Sequence, residues 1–133
     1  MNNILNPNQA LHLLAVRLEH TRWTQADKAV TGLMQDRLLR LNSFASGLTV
    51  AMAIGNAPPR ISQTCLLLAA TEEACDDALY LEQGLLWLLR RYPAELTEVE
   101  LDLLFKQQWT LAILLTAREQ TAHSLLPAVG KYA

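Results

Sequence analysis

The stretch Thr24–Asn56, TQADKAVTGLMQDRLLRLNSFASGLTVAMAIGN, decides how the chain is read. Within it Met34, Leu38, Leu41, Ala45, Leu48 and Met52 recur at alternating spacings of four and three, the apolar seam of a heptad-type helix. Thr24 with Asp27 three residues on matches an N-terminal cap. Gly55, Asn56, Ala57, Pro58 and Pro59 form the strongest breaker in the chain. The spacing therefore predicts one long helix over about 25–54, with Asn42, Ser43 and Gly47 as the place for a kink. Leu48 to Ile54 is the one β-branched, alternating segment, and because it runs in phase with the seam it is read as helix. Trp23, Thr24, Gln25 and Gly32 resemble the opening of a helix-turn-helix, but Lys28 stands where a small residue belongs and no cap follows Gly32.

Upstream, Asn6, Pro7 and Gln9 match an N-cap, a proline at the first helical position and a capping box. Leu11, Leu14 and Leu18 then give an amphipathic first helix to about Thr21. Downstream, Leu67, Ala70, Ala74, Ala78, Leu81, Leu85 and Leu88 keep helical spacing from Ile61 to Tyr92, a segment in which 19 of 32 residues are apolar. One buried stripe needs only about three in seven, so this third helix is expected to bury more than one side. The like-charge pairs Glu72/Asp76 and Glu73/Asp77 would be relieved by a break at Thr71. Arg90, Arg91 and Pro93 end the segment. Thr97 and Glu100 form a third capping box, flanked by Leu96 and Leu101, and open a fourth helix over about 98–125, stopped by Pro127. The expected architecture is all-α: a four-helix bundle with long second, third and fourth helices and short connections, 1–133 forming one helical domain whose ends, about 1–6 and 128–133, fray.

Composition narrows the function classes. The chain has 133 residues, 51% of them hydrophobic, and a formal net charge of −2, which fits one compact domain rather than a disordered chain. Its two cysteines, Cys65 and Cys75, make no disulfide scaffold. No charged leader precedes Arg17 and no apolar run approaches the roughly 18–20 residues that span a bilayer, so a cytoplasmic chain without membrane contact is expected. No phosphate-cradling glycine loop, dinucleotide fingerprint or nucleophile elbow occurs, so neither an enzyme nor a cofactor is expected. Glu119 and His123 sit four apart, but without the Glu-x-x-His spacing of di-metal bundles no metal site is assigned.

Charge and apolar surplus point instead to interaction. Residues 1–60 carry net +3, residues 61–105 net −7 and residues 106–133 net +2. The expected function is a non-catalytic protein–protein interaction module, an adaptor, chaperone-like or assembly protein, self-associating as a homodimer. Its leucines beyond the core, with Leu86, Trp87 and Trp109 as anchors, receive an amphipathic segment, while Glu72, Glu73, Asp76 and Asp77 steer it. The alternative is a small subunit of a nucleic-acid-binding assembly, with Arg17, Arg22, Lys28, Arg37 and Arg40 meeting phosphates.

Overall fold

A computed structural model describes residues 3–24, 26–56, 77–82 and 84–132, with side chains in the C-terminal helix as far as Thr116. The chain order is β1 (Ile4–Leu5), α1 (Pro7–Ala15), β2 (Glu19–Thr24), β3 (Ala29–Met34), β4 (Arg37–Phe44), β5 (Gly47–Asn56), β6 (Asp77–Glu82), β7 (Leu85–Tyr92), β8 (Leu96–Thr97) and α2 (Glu98–Tyr132). Six strands form one antiparallel sheet in the order β2-β3-β4-β5-β7-β6, and β1 pairs with β8 in a separate two-stranded ribbon. The expected four-helix bundle is overturned: the architecture is a six-stranded sheet with two described helices.

The long helix expected over 25–54 is instead the run β3–β4–β5, closed by tight hairpins. Side-chain parity explains why. On β5, Leu48, Val50, Met52 and Ile54 alternate strictly onto one face and are all buried, as are Leu39 and Leu41 on β4. The alternation in Leu48–Ile54 is the true signal, and the three-four seam is incidental to it. Between β3 and β4, Gln35 (φ 47) and Asp36 (φ 66) are both left-handed, the geometry of a two-residue hairpin turn. Thr24 ends β2 and Asp27 lies in the β2–β3 turn, where it and Ala26 are left-handed, so the two do not cap a helix.

The described part of the expected third helix is the β6–β7 hairpin. Its apolar surplus arises because β7 is buried on both faces: Leu86 and Leu88 face the helices, while Trp87 faces away. Thr71, Cys65 and Cys75 lie outside the described residues.

The helix starts follow the sequence signals. Asn6 Oδ1 accepts from Gln9 N at 2.8 Å and Gln9 Oε1 accepts from Asn6 N at 2.9 Å. Thr97 and Glu100 make the same reciprocal pair at α2. Because Ile4 and Leu5 pair with Thr97 and Leu96, the two capped starts are clipped side by side. Helix α1 ends at Ala15, earlier than expected, because Leu18 turns down onto β3: a Cβ on Gly32 would lie 2.9 Å from Leu18 Cβ.

Both helices pack on one face of the sheet, α1 over β3–β5 and α2 over β5 and β7. The core between them includes Leu11, Leu14, Leu41, Val50, Leu88 and Leu101. Gln108 is a fully buried polar side chain within it. Gln108 Nε2 donates to the carbonyls of Val50 (2.7 Å) and Leu88 (3.2 Å), and its Oε1 accepts from the Tyr92 hydroxyl at 2.8 Å. Burial pushes the Tyr92 phenol well above the usual tyrosine range, so it stays a donor.

Gln108→Leu strands the Tyr92 hydroxyl and is expected to cost about 1–3 kcal/mol in urea unfolding. Gly47 is held at φ 144, and a Cβ there would lie 2.2 Å from the Tyr92 carbonyl oxygen. Gly47→Ala is expected to cost about 2 kcal/mol or more by the same measurement.

Candidate protein-docking surface

Since Gln108 points into the sheet, the opposite side of α2 is turned to solvent. At about 100° per residue, Val99, Leu103, Lys106, Thr110, Ile113 and Leu114 share that side. Four of these are large aliphatics left open, Val99 and Leu103 by more than half, Ile113 and Leu114 by 48% and 42%. The stripe runs about 22 Å at 1.5 Å per residue. Lys106, in its middle, reaches back to Asp102 at 2.9 Å, so its ammonium lies to one side. The Asp102 carboxyl is held below the usual range chiefly by its hydrogen bond from Lys106, with Arg17 at 3.1 Å assisting. Glu100 is likewise lowered, by the Thr97 N–H and hydroxyl that complete the cap.

The residues singled out in the sequence are dispersed. Leu86 and Trp87 are 1% and 0% exposed, on opposite faces of β7, and offer no surface. Trp109 is half-buried, with its ring near Phe105 and under the Arg37 guanidinium. Asp77 is buried in a two-pronged ion pair with Arg90, which also reaches Gln107 of α2. Glu72, Glu73 and Asp76 lie outside the described residues.

The basic group divides as well. Arg37 and Arg40 stand on opposite faces of β4, since strand neighbours three apart have opposite parity. Arg17 pairs with Asp102, whereas Arg22 and Lys28 are exposed. Arg40 lies over the Trp87 ring, 4.4 Å from its centroid, and pairs with Glu82. Tyr80 stacks on the same indole, whose N–H donates to the Glu82 carbonyl at 3.4 Å. Desolvation raises the Tyr80 phenol. The cation place beside this aromatic pair is thus filled by the chain's own arginine. The exposed aliphatic stripe on α2 has no separate signal in the sequence, where about 98–125 reads as one helix of a bundle. Once Gln108 is known to point inward, the spacing 99, 103, 110, 114 identifies it.

Among the described residues no group of three or more His, Cys, Asp or Glu side chains is placed to hold a metal ion. The side chains of Glu119 and His123 are outside that set. No helix among the described residues is long and apolar enough to cross a membrane. No protein-family model, curated protein or solved structure matches the chain.

The Arg90–Asp77 pair belongs to the fold rather than to a docking surface, and this is testable. Asp77→Ala leaves a buried guanidinium without its carboxylate and is expected to cost about 3–5 kcal/mol by thermal or urea unfolding. The double change Asp77→Leu with Arg90→Met is expected to recover most of that loss.

Proposed function

We propose that this chain is a non-catalytic, cytoplasmic protein-interaction module that self-associates through the outer side of α2. The observation that carries the reading is the row Val99, Leu103, Ile113 and Leu114, aliphatic side chains set along one solvent-facing helix side. A second copy is the occupant that this row fits. Its aliphatics are grouped at two ends around Lys106 and Thr110, so an antiparallel two-fold pairing lays the Val99–Leu103 end of one helix against the Ile113–Leu114 end of the other. The small cysteine count without a disulfide scaffold supports an intracellular, adaptor-like or chaperone-like setting. The nucleic-acid alternative draws less support, because Arg37 and Arg40 stand on opposite faces of the sheet.

Sedimentation equilibrium of the full chain tests this. The wild-type protein is expected to dimerise, and Leu103→Glu with Ile113→Glu is expected to weaken association by roughly 30-fold or more while leaving the circular dichroism unchanged. A wild-type chain that stays monomeric at high micromolar concentration would overturn the reading, as would a double variant that dimerises equally well.

A further inference from the structure

The two outermost strands of the six-stranded sheet are unlike. β2 carries a slip of register between Glu19 and Arg22, and His20 within it is left-handed. β6, Asp77–Glu82 on the other side, has neither irregularity. Its six residues, DALYLE, pair with β7 in one unbroken register, none has a positive φ, and none is glycine, proline or lysine. Among the described residues no strand pairs with its outer side.

The β6–β7 hairpin determines which backbone groups look outward. Glu82 pairs directly with Leu85, so two residues join the strands, and the pair flanking a two-residue loop is a hydrogen-bonded one. By the alternation of an antiparallel ladder, Ala78, Tyr80 and Glu82 then turn their N–H and C=O groups to β7, whereas Asp77, Leu79 and Leu81 turn theirs outward. The side chains alternate in step. Those of Asp77, Leu79 and Leu81 lie on the helix side, where Arg90 holds Asp77, Leu79 packs against the core and Leu81 is left 51% exposed. Those of Ala78, Tyr80 and Glu82 lie on the opposite face, Tyr80 against Trp87 and Glu82 beside Arg40.

We propose that β6 is a docking edge for an extended segment of another polypeptide, added antiparallel as a further strand of the sheet. The outward N–H and C=O groups of Asp77, Leu79 and Leu81 supply the affinity, and Leu79 and Leu81 select aliphatic side chains at every second position. Acids at both ends of β6 set the charge of the occupant. An incoming strand without acids is favoured, and a base at its start meets Glu82, whose side chain keeps 46% of its surface open beside Arg40. The same acids disfavour a second copy of β6. Antiparallel pairing of Leu79 with its own counterpart sets Leu81 against Asp77 and crowds Glu82 of each copy toward Asp77 of the other. The edge is separate from the outer side of α2 and does not rest on self-association.

Nitrogen–proton spectra and amide hydrogen exchange of the labelled full chain provide the test. In the free protein the Leu79 and Leu81 amides are expected to exchange fast and those of Ala78, Tyr80 and Glu82 slowly. The probe is N-acetyl-Lys-Val-Thr-Val-Thr-Val-amide, whose valines fall on the helix side when its lysine lies opposite Glu82. It is expected to shift the Leu79 and Leu81 amides saturably and to slow their exchange. N-methylation of the fourth peptide residue, whose N–H faces β6, is expected to weaken binding at least about tenfold. The same change at the third residue, whose N–H faces away, is expected to weaken it less than about threefold. Leu81→Pro removes one outward N–H without touching the β7 ladder and is expected to abolish binding with the circular dichroism unchanged. The proposal is overturned if the two methylated peptides bind equally, or if the parent peptide leaves both leucine amides unmoved up to millimolar concentration. It is equally overturned if those amides become protected as the protein alone is concentrated, which assigns the edge to a second copy. The comparison of methylated peptides uses the wild-type chain and decides the matter even where the variant does not fold.

Discussion

A single side chain fixes how the long helix is turned. Gln108 is fully buried and completes its hydrogen bonding with two strand carbonyls and the Tyr92 hydroxyl. A primary amide in such a place has no water to fall back on, so rotating α2 by even a third of a turn would strand both the Gln108 amide and the Tyr92 hydroxyl. That rotation is therefore set, and much follows from it. Leu101, Phe105, Ala112 and Leu115 fall inward beside it, Val99, Leu103, Ile113 and Leu114 fall outward, and Trp109 and Thr116 arrive beside Arg37. One amide thus defines the core, the aliphatic stripe and the surroundings of Arg37 together.

The helix starts were legible because their signals are local. Asn6, Pro7 and Gln9, and likewise Thr97 and Glu100, need only their own turn to act, and the reciprocal hydrogen bonds form as the spacing requires. The sheet was not legible for reasons that are equally physical. Its β3–β4 turn uses Gln35–Asp36, a pair outside the glycine-containing signatures that usually mark two-residue hairpins. The interior strand β7 carries large apolar residues on both sides from Leu85 to Leu89, so no alternation survives there to be read. In β5 the alternation Leu48, Val50, Met52, Ile54 was present, but leucine-rich and alanine-rich neighbours also satisfied a three-four count. Tertiary burial overrode local preference.

The same change of period redistributed the candidate site. On a helix Arg37 and Arg40, three apart, would share a side; on a strand they part company, one to the helix layer and one to the opposite face. Leu86 and Trp87 stand out in the sequence for bulk, and bulk is what both faces of an interior strand bury. Asp77, read as part of a steering cluster, is drawn inward by Arg90 across the β6–β7 pair. The environment of Arg37 has no sequence signature. It depends on which atoms of Ala53, Thr116 and Trp109 surround it, and those come from three elements far apart in the chain.

One border of the sheet is β2, whose residues from Glu19 to Thr24 are all exposed. Such a border would ordinarily invite another extended chain to join it, and then another. Here His20 sits at φ 55, the register slips between Glu19 and Arg22, and Trp23 is drawn aside to stack on His12. A newcomer can therefore find only a short flush length of backbone, bracketed by an acid and a base. The β2 border is thus poorly suited to templating fibrous stacking when the protein becomes crowded.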